Sequence, residues 1–147
     1  MINESIKRLQ FLCDRIPDLL LELDQTTLSE KPSPGKWSKK EIIGHLIDSA
    51  TNNHHRFVRG QYEELPTITY DQNKWNENNY YQHIDSSQII AFWTAYNRQL
   101  LELIKRIPEN KLGYKVNTGS DNSYTIEFLI HDYVQHLEHH LRQVVTY

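Results

Sequence analysis

A single cysteine, Cys13, stands in 147 residues, which rules out a disulfide within the chain and fits a reducing compartment. It lies in a leucine-rich stretch beside Phe11 and Leu12, the setting of a small core residue rather than of a nucleophile. No apolar run approaches the roughly 20 residues that cross a bilayer, so no membrane association is expected. The N-terminal run MINESIKRLQFLCDRIPDLL interleaves acids and bases with its apolar residues, unlike a secretory leader, and the expected location is the cytoplasm. A basic excess is also missing. The net charge is -3, so a phosphate backbone has nothing to select and nucleic acid is not an expected partner. Repeats, low-complexity tracts and linkers are absent, and the length suits one domain, residues 1–147.

What the chain has in quantity is histidine, eight residues in all, four of them between positions 131 and 140. Around them run four apolar stretches with helical spacing. The first extends from about Ile2 to Leu23, with Pro17 placed to kink or interrupt it. The breaker-rich KPSPGKWS follows, and Ser38 with Glu41 forms a capping box that opens the second helix, which ends near Gly60. The third starts around Asp85 to Ser87 and stops at Pro108; the fourth begins near Thr125. Between the second and third, YEELPTITYDQNKWNENNYYQHI shows no clean period, and a connection of that length suits a crossover between distant helix ends. GYKVNTGSDNSY forms either a small hairpin or an ordered loop. The expected architecture is all-α: a four-helix bundle with one long crossover.

A metal ion of the zinc type needs neutral imidazole nitrogens converging at about 2.0–2.1 Å. A helix supplies two such ligands only three or four residues apart. His136 and His140 are the i,i+4 pair of the fourth helix, and on a helical wheel both flank its apolar face, within about 40° of each other. His139 and His131 turn away from that face. His45 borders the apolar stripe of the second helix, while His54 projects among its apolar residues and His55 turns away. Three nitrogens then face a shared cleft and leave a position open for water or substrate. The other reading of the same spacing is a set of solvated or hydrogen-bonded histidines. Asp48, Asp132 and Gln143 each lie one turn from one of the three, either orienting a ring or simply solvated. Tyr70, Trp75 and Tyr80 or Tyr81 either wall a pocket or anchor the crossover. Arg56 lies near His45 on the wheel, facing an anionic substrate or forming a surface salt bridge. No general base is identifiable.

The run KPSPGKWSKKEIIGHLIDS resembles the second-helix signature of the DinB/YfiT-like superfamily, a Trp-Ser pair opening a helix that bears His-Leu-x-Asp. YDQNKW resembles that family's Tyr-Asp-x-x-x-Trp loop, and HLEHHLRQV its closing His-x-x-x-His-x-x-Gln. Leu141 and Arg142 stand where the family has Arg-Gly, a departure from its pattern. The resemblance implies an up-down-down-up four-helix bundle, often a homodimer, holding a zinc or nickel ion on His45, His136 and His140. It implies a metal-dependent enzyme acting on a small molecule, either a hydrolase or an S-transferase that uses a low-molecular-weight thiol such as bacillithiol or mycothiol. The alternative is a non-catalytic bundle that binds a small molecule or partner, its metal site vestigial.

Overall fold

The first helix, α1 (Asn3–Leu21), buries Leu9, Leu12, Cys13, Ile16 and Leu20 completely in the computed structural model, which describes residues 2–147. Pro17 sits inside α1 without interrupting it, contrary to the expectation of an interruption. Proline removes only the N–H that would reach the Cys13 carbonyl. The buried Cys13, Ile16 and Leu20 around it hold the last turns against the core. A short helix not expected from the sequence, α2 (Gln25–Ser29), follows; the Asp24 carboxylate accepts from Thr27 N–H at 2.7 Å, and Leu28 plugs it into the core.

The capping box expected at Ser38 is present. Glu41 N–H donates to Ser38 Oγ and Ser38 N–H to Glu41 Oε1, both at 3.1 Å, opening α3 (Lys39–Arg59). α3 ends at Gly60, though not through a left-handed cap, since φ there is -60°. The glycine makes room instead: a Cβ would fall 2.8 Å from Val116 Cγ2 and 2.6 Å from the Arg56 carbonyl. The crossover is more structured than its lack of period suggested. It contains α4 (Gln72–Asn78), started by Asp71 accepting from the N–H of Asn73 and Lys74, and a 3-10 turn over Tyr81–His83. Asp85 caps α5 (Ser86–Arg106), and Thr125 caps α6 (Ile126–Leu141). Before α6, β1 (Lys115–Asn117) pairs antiparallel with β2 (Ser123–Thr125), the hairpin alternative for that segment. The crossover adds to it through a parallel bridge, Thr67 to Asn117.

Side-chain pairs fix the directions of the four long helices. Ser5 meets His131 and Arg8 meets Glu138, so α1 and α6 run parallel. Lys40 donates to the Gln82 carbonyl just before α5, and His54 meets Tyr96 farther along, so α3 and α5 are parallel too. His45 faces His136 and His140 while Phe57 faces Tyr133, which makes α3 and α6 antiparallel. α1 packs on α5, α5 on α3, and α3 on α6, giving the up-down-down-up bundle. Trp93, Tyr133 and Phe57 are the largest side chains in its core. Cys13 lies there as well, its thiol pushed up to about 11 by burial, too high for a nucleophile at neutral pH. Among the described residues no helix is long and apolar enough to cross a membrane.

Candidate metal centre

Antiparallel packing of α3 on α6 carries His45 of α3 onto His136 and His140 of α6. The Nε2 atoms of His45 and His136 are 3.1 Å apart, and one nitrogen from each of the three rings lies within 4.8 Å of the other two. The rings stand nearly perpendicular, with centroids 4.6–5.0 Å apart. A tetrahedral ion bonded at about 2.05 Å would set its nitrogen ligands about 3.4 Å apart; the His45–His136 pair is already near that spacing, and the widest separation must close by about 1.4 Å.

Electrostatics suit the same role. Burial, and then repulsion from His136 and His140, hold His45 down to about 3. Burial followed by His140 and His139 hold His136 down to about 4. Both rings are therefore neutral at pH 7 and present lone pairs. His140 Nδ1 lies 3.1 Å from Gln143 Oε1, an acceptor that places the ring proton on Nδ1 and leaves Nε2 free for the centre. Trp37, on the turn before α3, lays its indole over His45 with centroids 4.8 Å apart. Trp37 and Gln143 also line an open cleft of about 790 Å³ with Lys36, Lys39, Gln72 and Asn73, which therefore abuts the histidines.

Of the three polar neighbours expected from spacing, Gln143 touches a histidine of the centre. Asp132 is exposed and solvated. Asp48 is buried, its Oδ1 accepting from Tyr81 Oη at 2.5 Å and Asn79 Nδ2 at 3.0 Å. Burial pushes its carboxyl up to about 6 against the pull of the Tyr81 hydroxyl. Tyr81 fits because Gly44 has no side chain; a Cβ there would lie 2.2 Å from the ring. Of the crossover aromatics, Tyr81 anchors on Asp48, while Tyr70 packs edge-on to Trp75 within the crossover at 5.8 Å. The cleft wall comes from Gln72 and Asn73 of α4.

Arg56 makes a structural contact with the crossover in place of the expected surface salt bridge. Its Nε and Nη2 donate to the Ile68 carbonyl at 3.3 and 3.1 Å, pinning the crossover to α3. His54 bonds Tyr96, His131 bonds Ser5, and His139 abuts the His140 ring from outside. Trp37 belongs to the Trp-Ser pair of the second-helix signature, though no contact with His45 was expected of it, and Asn79 carried no expectation. Trp37 had a signal in its place just before the Ser38 cap, one helix entry away from His45; Asn79 had none.

A bundle with two parallel central helices and a trio of one buried and two half-buried histidines defines the class, and a family model agrees: the chain belongs to the DinB superfamily, matched over residues 8–144. Two curated relatives from Oceanobacillus iheyensis, each described as a candidate metal-dependent hydrolase, are 23% and 25% identical to it. These matches cover 97% and 99% of this chain and 83% and 85% of theirs. Among solved structures, YfiT from Bacillus subtilis superposes with a TM-score of 0.86 at 22% identity, over 97% of this chain and 82% of its own. It is described as a candidate metal-dependent hydrolase with an unusual four-helix bundle topology. A mycothiol-dependent maleylpyruvate isomerase follows at 0.77 and 11% identity, covering 96% of this chain and 60% of that one. At these identities the structural likeness is one of fold.

Proposed function

We propose that the protein is a metal-dependent enzyme that holds one divalent ion, of the zinc or nickel type, on His45, His136 and His140. The observation that carries this is the convergence of three imidazoles, two of them held neutral by burial, on one point beside an open cleft. An ion with three protein ligands keeps a position open, where it lowers the pKa of an entering water or thiol and supplies a nucleophile at neutral pH. The chain's own residues do the rest. Gln143 keeps the His140 proton on Nδ1, Trp37 shields His45 from solvent on one face, and the cleft they border admits a small-molecule substrate.

Hydrolysis is the leading reading, supported by the description shared by the relatives that span the chain. Thiol transfer is the second, favoured by the mycothiol-dependent neighbour of the same fold. A cytoplasmic homodimer completes the proposal. The lone buried Cys13 suits a reducing compartment, and sedimentation of the purified chain reads the oligomeric state.

Elemental analysis of untagged protein tests the ligand set. Wild type is expected to carry a single ion per chain and His136→Ala to lose it; unchanged stoichiometry in the variant would overturn the assignment. Metal-stripped and reloaded protein is then assayed on ester and amide substrates and on thiol conjugation to an electrophile. Activity restored by the ion is the expected result, and inactivity of both forms on every substrate would favour a non-catalytic binder.

A further inference from the structure

Among the described residues, three buried polar side-chain atoms have no hydrogen-bond partner: Trp93 Nε1, His45 Nδ1 and Asp48 Oδ2. The last two belong to the same helix, three residues apart, and both side chains are 1% exposed. Residues at that spacing share a helix face and can touch. His45 turns its Nε2 toward His136, so Nδ1 lies on the far side of the ring from the centre. A neutral imidazole carries one proton. If Nε2 is to offer a lone pair to an ion, that proton sits on Nδ1 and needs a buried acceptor. Asp48 has one to give: Oδ1 is taken by Tyr81 and Asn79, and Oδ2 is free.

We propose that Asp48 is the positioning residue of His45, its Oδ2 taking the Nδ1 proton directly or through one ordered water and so aiming Nε2 at the metal centre. The inference rests on the metal-site reading above. Leaving a donor and a carboxylate oxygen both buried and unpaired is unfavourable, and joining them satisfies both. Histidine ligands are commonly fixed in tautomer and orientation by such a partner. In this chain the carboxylate is itself held from the other side by the crossover, through Tyr81 and Asn79, so the crossover's seat on α3 sets the orientation of a ligand in the centre. The proton shared between the His45 and His136 Nε2 atoms in the metal-free protein then belongs to His136.

Long-range proton–nitrogen NMR of the histidine rings, first in metal-free protein and then during zinc titration, tests the proposal. Wild-type His45 is expected to be protonated on Nδ1 in both forms. Asp48→Asn can turn its amide N–H toward the ring, and is expected to shift the metal-free His45 proton to Nε2 and to weaken zinc binding roughly 10- to 100-fold. Zinc affinity is read by competition with a chelator. Tyr81→Phe removes a crossover anchor but leaves Oδ2 in place, so it is expected to keep the Nδ1 tautomer and to hold zinc within a few-fold of wild type. A protonated Nε2 in metal-free wild type would overturn the proposal, even if Asp48→Asn failed to fold. So would an unchanged tautomer and zinc affinity in a folded Asp48→Asn. Absence of zinc binding by wild type would instead sink the metal site itself, while the metal-free tautomer still reports on Asp48.

Discussion

Replacing Gly44 by alanine sets two local rules against each other, and the structure decides which prevails. Gly44 lies in the interior of α3, where helix propensity alone favours alanine by about 1 kcal/mol. The added Cβ, however, would fall 2.2 Å from Tyr81 Cδ2 and 2.3 Å from Cγ. Ordinary carbon contacts lie at about 3.5–4.0 Å, so the ring would have to retreat by about 1.5 Å. It has little freedom to do so, being 7% exposed with its hydroxyl bonded to Asp48. Overpacking of that kind costs about 1–3 kcal/mol. Losing a hydrogen bond to a charged group adds about 1.5–3 kcal/mol. After subtracting the propensity gain, Gly44→Ala should destabilise the protein by about 1.5–5 kcal/mol, or about 10 °C in Tm for a chain of this size.

Urea unfolding followed by far-UV circular dichroism, with a chelator present to exclude linkage to metal, reads that change directly. The decisive measurement is the same substitution in a Tyr81→Ala background. With the ring gone, only propensity remains, and alanine at position 44 should become stabilising by about 0.5–1 kcal/mol. The sign should therefore reverse between backgrounds, with a coupling energy of at least about 2 kcal/mol. A Gly44→Ala protein as stable as wild type, or an equal effect in both backgrounds, would refute the close packing of Tyr81 on α3.

Stability of the metal-free protein should fall as pH drops from about 6.5 to 4. His45 and His136, held down to about 3 and 4, stay neutral when folded, so the unfolded chain takes up two protons across that window that the folded chain does not. Asp48, held up to about 6, binds one proton more in the folded state between roughly pH 6 and 4, and offsets one of the two. The net of one proton corresponds to about 1.4 kcal/mol per pH unit at most, and a urea midpoint that stayed flat or rose on acidification would contradict the burial of the histidines. Arg56→Ala should release the Ile68 carbonyl and cost about 1–3 kcal/mol, with limited proteolysis of the crossover accelerating. Arg56→Lys should recover only part of this, because an ammonium cannot present the two-pronged guanidinium contact; unaltered proteolysis in Arg56→Ala would show that the pin is not needed.

The parts legible in the sequence are those whose cause is local. Ser38 and Glu41, Asp85 and Thr125 start their helices through bonds to residues two or three positions away, so pattern alone locates them. His45, His136 and His140 could be picked out because each borders an apolar stripe, and packing two stripes together brings their borders together. The short helices α2 and α4 escaped because five and seven residues are too few to show a period; only Asp24 and Asp71 marked them. The crossover contacts of Arg56 and Asp48 escaped for a different reason. Their partners, Ile68, Asn79 and Tyr81, lie in a segment without periodicity, and nothing in a helical wheel reports which face such a segment will cover.

That covering follows from the topology. Because α3 and α5 run parallel, the chain leaving α3 at Gly60 must return along a 21-residue helix, about 30 Å, before α5 can begin. Its route back is read from its anchors, which descend along α3 as the crossover ascends: Arg56 holds the Ile68 carbonyl, Asp48 holds Asn79 and Tyr81, and Lys40 and Ser38 hold Gln82. Asn76 of α4 departs from that order, its Nδ2 donating to the Glu41 carbonyl at 2.9 Å before the chain reaches Asp48. Lys40 and Asp48 are polar for this reason and not because they meet water, since both are buried. A helix that looks amphipathic in sequence is therefore covered on both faces, by the bundle core on one and by the crossover on the other. His45 sits at the border between them, which is how a titratable ring in a bundle this small becomes desolvated enough to remain neutral well below its ordinary pKa.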